Sequence, residues 1–110
     1  MLKHEFGIMM DNPIKNKRYD EYEHERYDSI SIHDDYIFPL LNLFSEIDCY
    51  WHTLDRPEKG LAYYGVTLIP PTSIDSFLKI FLQQDSHVDK LVELMKRAKN
   101  ENKYIIHFGI

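Results

Sequence analysis

Asp48, His52 and Tyr63 are the side chains whose types and spacing best suit acid–base or ligand-orienting chemistry. A carboxylate, an imidazole and a phenol that share one face can exchange a proton or fix the polar groups of a ligand. All three lie in Ile47–Ile69. That stretch reads as two strands, Ile47–Leu54 and Leu61–Ile69, joined by the turn Asp55–Gly60 with Pro57 as a turn former. Arg56 and Lys59, in that turn, offer cations to an anionic group. Pairing Leu54 with Leu61 sets His52 opposite Tyr63, Tyr50 opposite Gly65 and Asp48 opposite Thr67 on one side of the sheet. Ile47, Cys49, Trp51 and Thr53 then share the other side with Ala62, Tyr64, Val66 and Leu68, the more apolar face and the one suited to lie under helices. A slip of one residue would change every partner. A half-solvated sheet face also carries polar and amphipathic side chains for ordinary reasons, and Tyr50 opposite Gly65 reads equally as an aromatic covering a strand glycine.

A second kind of chemistry is concentrated in Asn16–Asp35. Seven acidic residues there face three basic ones, a net −4. Tyr19, Asp20, Glu21, Tyr22 and Glu23 alternate carboxylates with aromatic rings. Such a segment can steer a basic protein electrostatically and anchor it with aromatic area. As a solvated acidic surface it would simply favour solubility. His33, Asp34 and Asp35 form a short run that could orient a histidine or hold a metal. Neighbours in an extended segment point opposite ways, however, and capping of the following helix explains both aspartates, so no metal site or cofactor is expected.

Nucleophilic frames are missing. No serine sits in Gly-x-Ser-x-Gly, Cys49 lacks a hydrolase context, and the four glycines form no phosphate cradle. The net charge of −5 disfavours nucleic-acid backbones. No apolar run has the length of a membrane span, and His4, Glu5 and Gly7 interrupt any reading of Met1–Asp11 as a signal peptide. These features point to a soluble cytoplasmic domain. The leading functional expectation is a non-enzymatic binding module with a basic protein partner, for example of inhibitor or immunity type. The alternative is a small enzyme or ligand-binding domain that uses the mixed hairpin face. A homodimer burying that face or a sheet edge is compatible with either.

The elements that must position these groups follow from periodicity. With 110 residues, 44% of them apolar and 14% aromatic, the chain suits one α+β domain spanning 1–110. Leu2–Met10 alternates as a strand with His4, Phe6 and Ile8 on one face. Tyr19–Arg26 lacks a period and reads as a surface loop, and Arg26–Ile32 reads as a short strand. Tyr36–Ser45 has helical spacing, with Asp34 or Asp35 as its cap and Pro39 near its start. After Pro70-Pro71, Thr72 or Ser73 caps a helix whose stripe is Ile74, Phe77, Leu78, Phe81 and Leu82. Asp85 or Ser86 opens another, with Val88, Leu91, Val92, Met95 and Ala98 inward. Tyr104–Phe108, apolar on both faces except for His107, suits an interior strand, placed parallel to Leu61–Ile69 through a crossover. The architecture expected is a single mixed, mostly antiparallel sheet of about five strands with about three helices on one face.

Overall fold

A computed structural model describes residues 2–110 as an α+β fold built on one antiparallel sheet. Its six strands are β1 (Lys3–Ile8), β2 (Ile30–His33), β3 (Asp48–Trp51), β4 (Pro57–Lys59), β5 (Val66–Ile69) and β6 (Ile105–Phe108), in the order β2-β1-β6-β5-β3-β4. Every adjacent pair is antiparallel. The C-terminal strand thus lies inside the sheet, as its doubly apolar pattern requires, but antiparallel to β5 rather than parallel. The cause is the pair of helices between them, α1 (Ile74–Phe81) and α2 (Asp89–Asn100). One helix carries the chain down from the end of β5 and the second carries it back up, so β6 must start where β5 finished.

Side chains alternate across this sheet and define two layers. On one face Phe6, Ile8, Ile32, Cys49, Ile69 and Ile105 pack against the helices in the main core. The stripes expected from periodicity supply the other half: Ile74, Phe77, Leu78 and Phe81 from α1, and Leu91, Val92, Met95 and Ala98 from α2. Leu82, expected to extend the first stripe, lies outside α1 and is exposed. Phe44 contacts Phe77 and Phe81 at ring distances of 5.1 and 5.4 Å and joins Phe38–Phe44 to α1. That segment is a 3-10 helix rather than an α-helix, consistent with Pro39 at its start removing a backbone donor. Ser73 does not cap α1 through its side chain; its hydroxyl donates to the Asp48 carbonyl at 2.6 Å.

The opposite face carries Val66, Leu68, Ile106 and Phe108, covered by Tyr19, Tyr27, Tyr50 and Tyr104. Two tyrosines of the acidic segment therefore serve as a lid on the sheet. Arg26–Ile32 is not a continuous strand, since His24–Tyr27 winds as a 3-10 turn and pairing begins only at Ile30.

The largest departure concerns the hairpin. Pro57–Lys59, expected in a turn, forms the edge strand β4 and pairs with β3 through Asp48–Lys59, Cys49–Glu58 and Tyr50–Pro57. The turn itself is Thr53–Arg56, closed by the Arg56 amide donating to the Thr53 carbonyl at 3.1 Å. A proline flanked by charged residues is well suited to an edge, where one row of backbone groups meets water and where further pairing is discouraged. Gly60, at φ 78°, then turns the chain beneath β3, and Leu61–Gly65 crosses to β5 as a loop. Tyr50 consequently faces Leu68, and Trp51 faces Thr67, three residues away from the expected register. Because that shift is odd, Thr67 and Ile69 lie on the helix side, whereas Val66 and Leu68 lie on the other.

Candidate functional site

The new register disperses the expected hairpin patch. Asp48 is exposed on β3 and ion-pairs with Lys59. Tyr50 belongs to the covered back face. Arg56 lies over the Trp51 ring at 5.5 Å and pairs with Glu58 at 3.0 Å. None of these four contacts involves His52 or Tyr63.

His52 instead meets the acidic segment. It leaves β3 with φ 66°, a left-handed conformation uncommon for a histidine and often found where a site constrains the backbone. Its carbonyl accepts the Tyr19 amide at 2.6 Å, which pins the 16–28 segment to the end of the strand. Its Nδ1 lies 2.7 Å from Asp20 Oδ1, an ion-pair distance without hydrogen-bond alignment. Nε2 points at Gly65, where a Cβ would stand only 2.5 Å away. The ring therefore occupies the space that the absence of a side chain at Gly65 leaves open. Asp20 also accepts from Arg18 Nε at 2.7 Å, and that bond is the main reason its carboxyl is held below the usual range.

Around this contact is a pocket of about 460 Å³ whose walls include Glu5, Asp20, Tyr22, His52, Tyr64 and Gly65. Glu5 is buried on the back face of β1, where it accepts from Ser31 Oγ at 2.6 Å and from the Tyr22 hydroxyl. Partial dehydration, together with that hydrogen bond to a carboxylate, pushes the Tyr22 hydroxyl up to about 12. The rim is apolar and open: Leu2 and Tyr22 are exposed, and Tyr64 is 80% exposed. Tyr64 continues an aromatic row, with its ring 4.8 Å from Tyr63 and Tyr63 5.7 Å from the exposed Phe38. Glu21, next to Asp20, is exposed, and Glu23 is half-buried and pairs with Arg26 at 3.2 Å. A larger groove of about 890 Å³ between α2 and Asp28–Ile30 is a solvated belt of charged α2 side chains beside the sheet edge and gathers no comparable chemistry.

Sequence reasoning missed a second constellation altogether. On the helix side, His4 and His107 meet edge to edge, inclined by 18° with ring centroids 5.1 Å apart, and neither is accessible to solvent. His4 Nε2 lies 2.8 Å from Asp34 Oδ1, His4 Nδ1 lies 2.9 Å from His107 Nε2, and His107 Nδ1 lies 3.2 Å from Thr67 Oγ1. Thr67 Oγ1 accepts the Ala62 amide at 2.8 Å, and Asp34 Oδ2 accepts the Tyr63 hydroxyl at 2.8 Å. The ends of this chain dictate its proton order. The ionised Asp34 carboxylate can only accept, so a neutral His4 must accept at Nδ1, a neutral His107 must accept at Nδ1 in turn, and Thr67 gives its own hydrogen there while accepting the Ala62 amide. His107 then carries its proton on Nε2 and donates to His4, which in turn donates from Nε2 to the Asp34 carboxylate. Both rings are neutral and each nitrogen has one partner.

Burial lowers both histidines from the ordinary value, His107 strongly; for His4 the neighbouring Asp34 opposes the shift without reversing it. Burial alone would raise Asp34, but its hydrogen bonds from His4 and Tyr63 outweigh this and hold it low. Asp34 is therefore committed to this network and does not cap the next helix. The turn at Asp34–Tyr36 is capped by His33, whose Nδ1 accepts the Asp35 amide at 3.0 Å. The available signal was periodicity: His4 and His107 both fall on the inward face of strands otherwise apolar there. Among the described residues no cluster of His, Cys, Asp and Glu has the arrangement of a metal site.

Fold and site together define a small α+β protein with one antiparallel sheet, helices on one face, and an aromatic-rimmed pocket on the other. No protein-family model, curated protein or solved structure matches the chain.

Proposed function

We propose that the protein is a non-enzymatic binding domain that docks a basic protein partner at the aromatic-rimmed pocket between the 18–22 segment and the 61–65 loop. The observation that carries this reading is convergence. The acidic Tyr-rich segment and the hairpin histidine, far apart in sequence, meet at Asp20–His52 beside one pocket whose rim exposes Leu2, Tyr22 and Tyr64. Exposed aromatic area around a concave centre is the usual form of a binding hot spot. The polar groups of the pocket support binding over catalysis because they already compensate one another, Glu5 through Ser31 and Tyr22, Asp20 through Arg18.

The test is capture from the lysate of the protein's own host with tagged wild type, Asp20→Lys, Tyr64→Ala and Lys59→Ala. A basic protein should be retained at low salt and leave as salt rises, since exposed electrostatics are screened. Retention should fail for Asp20→Lys and Tyr64→Ala and persist for Lys59→Ala. A partner that ignores the first two variants, or a second copy of this chain in its place, refutes the reading.

One observation favours a second reading, a small acid–base site: His52 holds a strained φ with Asp20 at Nδ1 and Nε2 turned towards the pocket wall. His52→Asn separates the two, because asparagine tolerates the left-handed backbone but has no imidazole. The partner should survive that change, whereas acid–base chemistry should not.

A further inference from the structure

The buried chain Asp34–His4–His107–Thr67 ends on the loop that walls the pocket. Thr67 holds the loop's Ala62 amide at 2.8 Å, and Asp34 holds its Tyr63 hydroxyl at 2.8 Å. The next two residues are Tyr64, on the pocket rim, and Gly65, against which the His52 ring rests. The loop is thus tied at two points to one hydrogen-bonded chain with a single allowed proton order. We infer that this chain is an acid-released latch on the Leu61–Gly65 loop, so that the pocket is assembled only while His4 and His107 are both neutral. The inference rests on the pocket being the binding site.

The argument is one of counting hydrogens. A proton entering at His4, beside the Asp34 carboxylate, puts an N–H on His4 Nδ1, which faces the N–H of His107 Nε2 at 2.9 Å. Two donors cannot share that contact. The His107 proton must move to Nδ1, where it points at Thr67 Oγ1. That oxygen can accept from both His107 and the Ala62 amide, but its own hydrogen is then left without an acceptor in the chain. Thr67 is buried without solvent contact, so water does not absorb the misfit. A proton entering at His107 Nδ1 reaches the same impasse directly. Wherever the charge enters, the Thr67 hydroxyl is left with a buried, unpaired hydrogen, and turning the hydroxyl to relieve it displaces the oxygen that holds the Ala62 amide.

The surroundings make the pair the responsive element. The titratable groups facing it are Asp34, from the turn after β2, and Tyr63, from the loop itself, with His33 beside Asp34. Phe6 on β1 presents its ring to His107 at 4.8 Å. The buried positions of α1, α2 and Phe38–Phe44 are apolar throughout, so the helical layer supplies no counter-charge.

The test needs no partner, which separates it from the test of the pocket itself. Amide exchange, corrected for intrinsic rates, is followed from pH 7.5 to 5 in wild type, His4→Gln/His107→Gln and Thr67→Val, alongside the ring resonances of His4 and His107 in wild type. In wild type, protection at Gly65, Gly109 and Ile110, whose amides bond within or onto this loop, should fall about tenfold or more as the rings take up protons, while Trp51 on β3 keeps its protection. His4→Gln/His107→Gln, which leaves no titratable ring in the chain, should hold the loop at pH 5. Thr67→Val should loosen it already at pH 7.5. Protonated rings with an undisturbed loop, rings still neutral at pH 5, or a loop that opens equally in His4→Gln/His107→Gln would each overturn the latch. If the loop responds as expected but Asp20→Lys and Tyr64→Ala keep the partner, the latch stands and the binding site lies elsewhere.

Discussion

Acidification from pH 7.5 to 5 should destabilise the whole fold, by an amount that follows from the two buried histidines. Both have pKa values below 6.5 in the folded protein, chiefly because burial penalises the charged ring. Below pH 6.5 the unfolded chain therefore binds more protons than the folded one, and stability falls as pH falls. The slope approaches about 1.4 kcal/mol per pH unit for each histidine whose folded value lies well below the range tested. For His107 this sets a ceiling of about 2 kcal/mol on the loss at pH 5, lowered to the extent that the ring takes up its proton as the loop opens, and His4 acts in the same direction. Asp34 acts in a separate window. Its carboxyl is held below 3.8, so its contribution is intact above that value and is lost only in stronger acid. Urea unfolding followed by the fluorescence of Trp51, the single tryptophan, measures the effect. With an m-value of about 1–2 kcal/mol/M, the His107 share should lower the midpoint by no more than about 1–2 M between pH 7.5 and 5. His107→Gln should start lower at pH 7.5, because an amide reproduces the two hydrogen bonds imperfectly, but should show a visibly shallower pH slope. A midpoint that is flat or rises on acidification, or a His107→Gln slope equal to that of wild type, would refute the claim that the pair is buried neutral.

Two glycine substitutions should behave differently although both are crowded. At Gly109 a Cβ would stand 2.2 Å from the Tyr63 carbonyl oxygen, and backbone cannot swing aside, so Gly109→Ala should cost about 2–3 kcal/mol by urea unfolding. At Gly65 the obstacle is the end of the His52 side chain, which can rotate out. Gly65→Ala should cost less, while altering the His52 ring resonances. Cys49 lies in the main core, and burial pushes its thiol up to about 12. Labelling by a thiol reagent at pH 8 should therefore occur at the rate of unfolding, and rapid stoichiometric labelling of the folded protein would contradict its placement.

Much of the fold was legible because it depends on local pattern. The i, i+3, i+4 stripes of α1 and α2 and the alternation in β1 are properties of a few consecutive residues, and burial follows them closely. The interior position of β6 was legible for a related reason, since Ile105–Phe108 has no side suited to water. The same logic placed Cys49 under the helices. It misjudged Pro57–Lys59 because turn chemistry and edge-strand chemistry use the same residues, and only the vacant edge of β3 decides between them.

The candidate site was legible only in its components. Asp20 and His52 were each recognisable as polar groups with possible work to do, but no local rule joins them. Their contact depends on the left-handed backbone at His52, the space beside Gly65 and the amide of Tyr19. The buried chain shows the limit more sharply. His4, Asp34, Thr67 and His107 come from four separate parts of the sequence, and register alone aligns their hydrogen-bonding atoms. Sequence by itself determined which faces are apolar, because hydrophobic periodicity is a short-range property of the chain. Tertiary structure decided which polar atoms meet, because hydrogen bonds act over about 3 Å and a shift of one strand by a single residue moves every side chain to the opposite face.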